Sequence, residues 1–215
     1  MSETLPPRRR LPRGQREQMI IDEATRFFAE EGLDGQTRAL ADRLGVTQPL
    51  LYRYFSDKES LVQRVLSDLF DTPWQPDWSD LLTDRDLTIP HRLTVLYRRY
   101  SDQILTREWV RIFVYCGLRL ETITTAYHAQ IQQDLITPVL GEIRHHLGLP
   151  PLSASPATAA EQDSLVLLHQ QILQLAISRH VFGQTLAQAL PEVIAMAVES
   201  FWRTVQQTVQ DRAHR

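Results

Sequence analysis

Apolar residues recur every three or four positions along most of this 215-residue chain, the spacing of amphipathic helices, and no segment shows the alternation of a half-buried strand. Ile20, Ala24, Phe27 and Phe28 predict a first helix over about 15–31, ended by Gly32. Leu40, Ala41 and Leu44 form a short second stripe, closed by Gly45, which can take the positive φ that ends a helix. Thr47 is a good N-cap for a third short helix, in which Leu51 and Phe55, four apart, face inward. Ser56-Asp57-Lys58-Glu59 predicts a capping box, with Ser56 as N-cap and Glu59 reaching back. The helix it opens carries Leu61, Val62, Val65, Leu66 and Leu69.

Beyond residue 71 the pattern lengthens. The acidic stretch 71–90 contains Pro73, Pro76, Trp74 and Trp78, and predicts a loop with a short helical turn near 80–82. A helix over 91–105 carries Leu93, Leu96, Tyr97 and Tyr100. The next, over 108–121, buries Trp109, Ile112, Phe113, Cys116 and Leu120. A third spans 124–147 and is interrupted at Pro138, since an interior proline removes a hydrogen bond. A Pro- and Ser-rich loop over 147–156 precedes two final helices, 159–182 and 191–212. The expected fold is all-α with about nine helices: a basic arm over 1–14, a three-helix head over 15–60, and a helical bundle over 61–215.

The third short helix holds the most informative side chains. With Leu51 and Phe55 inward, Gln48, Tyr52, Arg53 and Tyr54 point out. Such residues are poor core material but suit phosphates and base edges. This is the helix-turn-helix pattern, with the second helix reading a DNA major groove. Lys58 is the only lysine in the chain. In the first turn of a helix a cation opposes the dipole, at a cost of roughly 0.3–1 kcal/mol, which points to an anionic partner. Pairing with Asp57 or Glu59 is the local alternative.

At these residues the chain resembles the tetracycline-repressor (TetR) family of bacterial transcription regulators. The resemblance rests on Ala24, Phe27, Phe28 and Gly32, on Leu40, Ala41 and Leu44-Gly45-Val46-Thr47, and on Leu51-Tyr52, Tyr54-Phe55 and Lys58-Glu59-Ser60-Leu61. It implies that Thr37, Arg38, Thr47, Gln48, Pro49, Tyr52, Arg53, Tyr54 and Lys58 contact a double-stranded DNA operator. Thr37 runs straight into Arg38, one residue tighter than in many members, and Pro49 stands where a small residue is common. Both departures bear on sequence preference. The resemblance further implies a homodimer built from the last two helices, with Leu165, Leu168, Ile172, Leu175, Ile194, Ala197, Val198, Phe201 and Val205 as candidate interface residues. Two heads about one DNA turn apart suit a two-fold operator. It also implies a small-molecule effector pocket among the middle helices, whose filling tilts the fourth helix.

The net charge of −3 excludes a global basic field, so attraction to DNA must be local. Arg8, Arg9, Arg10, Arg13 and Arg16 oppose only Glu3 near the N-terminus. That arm either enters a minor groove or serves as a solubilising tail. Cys116 is the single cysteine, so no intrachain disulfide forms. No apolar run approaches a membrane span and no signal-peptide pattern precedes the arginines, so the expected location is cytoplasmic.

Candidate pocket residues are Tyr97, Trp109, Phe113, Cys116, Arg119, Tyr127, His128, Gln170 and Gln171, with ordinary core packing as the other use of the aromatics. Arg119 either holds an acidic ligand, pairs with Glu121, or lies exposed. No metal or cofactor is expected: His145 and His146 are adjacent and diverge, and His128, His169 and His180 lack ligand spacing. Gly-rich phosphate loops, nucleophile elbows and paired carboxylates are absent from the sequence, so an enzyme is the weakest reading. An effector-released repressor leads. The alternative is a DNA-binding regulator controlled by a protein partner, which a filled core with an exposed apolar patch would favour.

Overall fold

Helix α1 (Arg13–Glu31) buries the expected stripe, Ile20, Ala24, Phe27 and Phe28, together with Ile21 and Ala29. It stops at Gly32, whose φ of 82° side chains rarely adopt. The turn that follows brings Gly35 against α1. A Cβ there would lie 2.6 Å from Phe27 Cε1, so only glycine fits without movement. Helix α2 (Thr37–Leu44) buries Leu40 and Ala41 and ends at Gly45, left-handed at φ 65° and ψ 33°. Helix α3 (Gln48–Leu51) is short, and tight turns extend it: the Tyr54 and Phe55 N–H groups donate to the Leu51 carbonyl at 3.0 and 3.2 Å. Leu51 and Phe55 are buried as the four-residue spacing requires.

The computed structural model describes residues 12–71 and 74–213. The first eleven residues of the basic arm lie outside them, and α1 already begins at Arg13. The chain divides into two compact units, Met1–Asp71 and Thr72–Arg215. Helix α4 (Lys58–Phe70) packs on α1 through Leu61, Val65 and Leu66, so it lies in the first unit, whereas the hydrophobic pattern began the second domain at residue 61.

In the second unit, α5 (Pro76–Thr83) replaces the expected loop with a full helix. Proline is favourable at its start, and Trp78 and Leu82, one turn apart, are both buried. Helices α6 (Ile89–Gln103) and α7 (Arg107–Arg119) follow, capped by Thr88 and Thr106. Leu120, expected in the core, lies just past the end of α7 and is 37% exposed. Helix α8 (Glu121–Ile131) runs through a π turn (Gln132–Ile136) into α9 (Thr137–His146). The interruption expected at Pro138 is thus a widened turn immediately before it. Both the Thr137 N–H and its hydroxyl donate to the Gln132 carbonyl, the hydroxyl at 2.9 Å.

The last helices are α10 (Ala159–His180) and α11 (Leu190–Ala213), and α11 packs on α6 and α10. Arg144, 5% exposed, ties the loop before α10 to α9. It donates to Glu161 at 2.8 and 3.2 Å, to the Pro150 and Pro156 carbonyls at 3.2 and 3.1 Å, and to the Ser155 carbonyl. The guanidinium holds Glu161 down at about 2. Among the described residues there is no strand, and no helix is long and apolar enough to cross a membrane.

Candidate nucleic-acid interface

The N-terminus of α2 meets α3 at Thr37. Its side chain is 6% exposed, unlike the surface contact expected of it. Its hydroxyl accepts from Gln48 Nε2 at 3.0 Å and shares a hydrogen bond with the Tyr52 hydroxyl at 2.9 Å. Gln48 is therefore half-buried and Tyr52 exposes its ring while its hydroxyl turns to the protein. Thr47 occupies the N-cap position of α3 with extended backbone, but its exposed side chain makes no capping bond. Pro49 costs α3 nothing, because the N–H groups of a first turn lack intrahelical partners.

Asp57, not Ser56, caps α4. Its carboxylate accepts the Ser60 N–H at 2.7 Å, and the Ser60 hydroxyl accepts the Asp57 N–H at 3.3 Å. The box is shifted one residue from the expected one because Asp57 takes the extended conformation that aims its carboxylate at the helix. Hydrogen bonds, that from Ser60 N–H first, lower the Asp57 pKa. Lys58 is then the first helical residue, and half-buried.

Among the described residues, some cations of the first unit are paired with carboxylates and others, Arg13 and Arg16 of α1 among them, are not. Arg43 pairs with Glu23 and Glu30 at 2.5 Å each, Arg26 with Glu23, and Arg64 with Asp68. Arg38, Arg53 and Lys58 make no ion pair with a carboxylate among the described residues. They sit at the start of α2, after α3 and at the start of α4, with Tyr54 half-buried among them in sequence.

In the second unit, five of the pocket candidates are buried: Tyr97, Trp109, Phe113, Cys116 and Tyr127. Trp109 stacks on Phe113 with centroids 4.7 Å apart, and Tyr127 meets Phe113 edge-on at 4.8 Å. The Tyr127 hydroxyl is bonded to the Tyr100 hydroxyl and to His169 Nε2, each at 2.8 Å. Tyr97 completes the cluster, its ring 6.1 Å from His169. Burial, with a smaller contribution from His128, pushes His169 down to about 4, so it is neutral at pH 7. Burial likewise raises the Tyr97, Tyr100 and Tyr127 hydroxyls, and raises the Cys116 thiol to about 11. Tyr97 Oη and His169 Nδ1 have no hydrogen-bond partner among the described residues.

The other candidates lie elsewhere. Arg119 is exposed and stacks over the Tyr115 ring at 5.1 Å, as a residue in the last turn of α7 can. His128 is exposed beside Tyr127. Gln170 and Gln171 line an open groove of about 590 Å³ on the outside of α10 and α11, with Leu167, Gln174, Ser200 and Thr204. The dimer candidates divide by burial, and Leu168, Ala197 and Phe201 also line that groove. Leu165, Leu168, Ile172, Ile194 and Val198 are spent on the unit's own core, and Ala197 and Phe201 are each 8% exposed. Leu175 and Val205 are half-buried. An amphipathic stripe packs on the nearest apolar partner, which here is the same chain. His169 and Tyr100 were not singled out as site residues: no local spacing joins positions 27 and 42 apart from Tyr127.

Residues 20–65 match the model described as bacterial regulatory proteins, tetR family. No curated protein matches the sequence significantly. Among solved structures, a TetR-like transcriptional regulator from Rhodococcus is similar at TM-score 0.63 and 18% identity, over 92% of this chain and 99% of that one. The fatty acid degradation regulator FadR from Bacillus halodurans is similar at TM-score 0.58 and 14% identity, over 89% and 96%. AmtR from Mycobacterium smegmatis is similar at TM-score 0.55 and 21% identity, over 92% and 89%. At such identities the structural likeness speaks to fold, while the matched segment is the head whose geometry is described above. The head thus matches the tetR family of bacterial regulatory proteins over residues 20–65, and over most of its length the chain has the fold of these TetR-like structures.

Proposed function

We propose that the protein is a sequence-specific DNA-binding regulator, a repressor that acts as a homodimer and leaves a two-fold operator when a small molecule binds its second unit. The observation that carries the DNA reading is the segregation of charge in the head. Arg26, Arg43 and Arg64 are neutralised in place, whereas Arg38, Arg53 and Lys58 around α2, α3 and the start of α4, like Arg13 and Arg16 of α1, have no carboxylate partner among the described residues and are left for phosphates. The dimer surface in this reading is the outer face of α10 and α11, with Leu167 and Met196, 63% and 58% exposed, beside the glutamine groove. Effector release requires that the ligand bind two shapes of the protein with different affinity. The candidate place for it is the aromatic cluster around Tyr97 and Tyr127, where the buried Tyr97 hydroxyl and His169 Nδ1 have no hydrogen-bond partner among the described residues.

Footprinting of the purified protein on DNA flanking its own gene tests the reading. A protected site with two-fold symmetry is the expected result. No protection by folded dimer would remove the regulatory role. Control by a protein partner is the second reading, favoured by Leu118 and Phe182, exposed at 82% and 62%. A footprint that no small molecule relieves but a co-purifying protein does would select it.

A further inference from the structure

Gln48 is the natural base reader of α3, but a glutamine has three rotatable bonds and an amide that can present either end. The hydroxyl of Thr37 removes that freedom. Thr37 is short and buried, and it stands at the first position of α2. A threonine hydroxyl carries one donor and two acceptor sites. One acceptor site takes Gln48 Nε2 at 3.0 Å, and the hydroxyl also shares a hydrogen bond with Tyr52 at 2.9 Å. The remaining Gln48 amide hydrogen and its carbonyl oxygen have no hydrogen-bond partner among the described residues. One donor and one acceptor on a fixed amide plane match adenine, whose major-groove edge offers N7 as acceptor and N6–H as donor.

We infer that Thr37 is a specificity-determining positioning residue: held by its hydroxyl, the Gln48 amide presents the donor–acceptor pair that selects adenine at one position of each half-site. This rests on the DNA-binding reading and deepens it. Thr37 contacts no base in this arrangement; it acts through Gln48, and its loss should relax preference at one position rather than weaken binding everywhere.

The test is selection of bound sequences from a randomised DNA library by full-length protein, comparing wild type with Gln48→Ala, Thr37→Val and Thr37→Ser, with each variant's fold checked by circular dichroism. A bidentate amide–adenine pair discriminates by roughly 5- to 150-fold. Gln48→Ala should abolish that preference at one position. Thr37→Val, which keeps shape and drops the hydroxyl, should reduce it at the same position by about threefold or more, as expected when part of such a pair is lost. Thr37→Ser should retain it. Thr37→Ala is the second hydroxyl deletion should valine disturb folding. A motif that Gln48→Ala relaxes and the hydroxyl deletions leave intact overturns this inference alone. The same holds if those deletions weaken all sequences equally, or if the selected base is not adenine. No motif selected by wild type overturns the DNA reading and this inference together.

Discussion

Each unit contains a trio of hydrogen-bonded polar side chains, and solvent access separates what the two can do. In the head, Thr37, Gln48 and Tyr52 join two helices at the surface. In the second unit, Tyr100, Tyr127 and His169 join three helices in the interior. Bonds of the first kind can be exchanged for water or for a ligand at little cost. Bonds of the second kind are expensive to break, because a buried donor or acceptor left alone keeps its full desolvation penalty. The head can therefore keep spare donors and acceptors at the surface for DNA, while the interior trio holds the bundle in register and stays uncharged.

The largest effect should come from the interior's most connected cation. Arg144→Ala strands Glu161 and three loop carbonyls, and should cost on the order of 3 kcal/mol in urea unfolding. A loss below about 1 kcal/mol, the level of an exposed pair, would put the loop anchor on the surface side of the comparison.

Acid comes next. His169 is held at about 4 in the folded protein against its ordinary 6.5. The unfolded chain takes up the proton first, so this contribution is present above pH 6.5 and is lost as pH falls from there towards 4. A shift of that size corresponds to up to about 3 kcal/mol. Stability measured across pH 4–7 should fall less steeply in His169→Gln than in the parent. Glu161, held at about 2, titrates lower, so the two windows separate. Equal slopes in parent and variant would show that the interior trio tolerates charge.

Smaller effects belong to the head. Gly35→Ala forces a methyl against Phe27 and should cost about 1–3 kcal/mol, seen as a lowered Tm. Thr37→Val should change stability by less than about 1 kcal/mol, because Gln48 and Tyr52 both reach water. A cost as large as that of Arg144→Ala would erase the distinction between the two trios.

The same contrast explains what the sequence could be made to say. The head's signals are local: Gly45 closes α2, the spacing of Leu51 and Phe55 fixes which face of α3 turns out, and the cap of α4 missed by only one residue. The α5 helix was harder, because Pro76 and two tryptophans resemble a loop until Trp78 and Leu82 find a core one turn apart. In α10 and α11 the stripes were legible, but a stripe does not say which surface covers it. Leu165, Ile172 and Val198 went to the protomer's own core, leaving Gln170, Gln171 and Leu167 outside. His169 and Arg144 carry no local signal at all. Their partners are brought to them only by the packed bundle.

The π turn between α8 and α9 has a consequence for phase. Tyr127, Ile131, Leu135, Val139 and Ile143 are all buried and fall on every fourth position. At 3.6 residues per turn, each step of four overshoots by about 40°, so a uniform rod would swing the last of them roughly 160° away from the first. One widened turn absorbs an extra residue and takes back about 100° of that swing. The turn works as a vernier that keeps a four-residue repeat facing one way. Pro138, with no N–H to offer, follows just where the hydrogen-bond ladder has already changed its step.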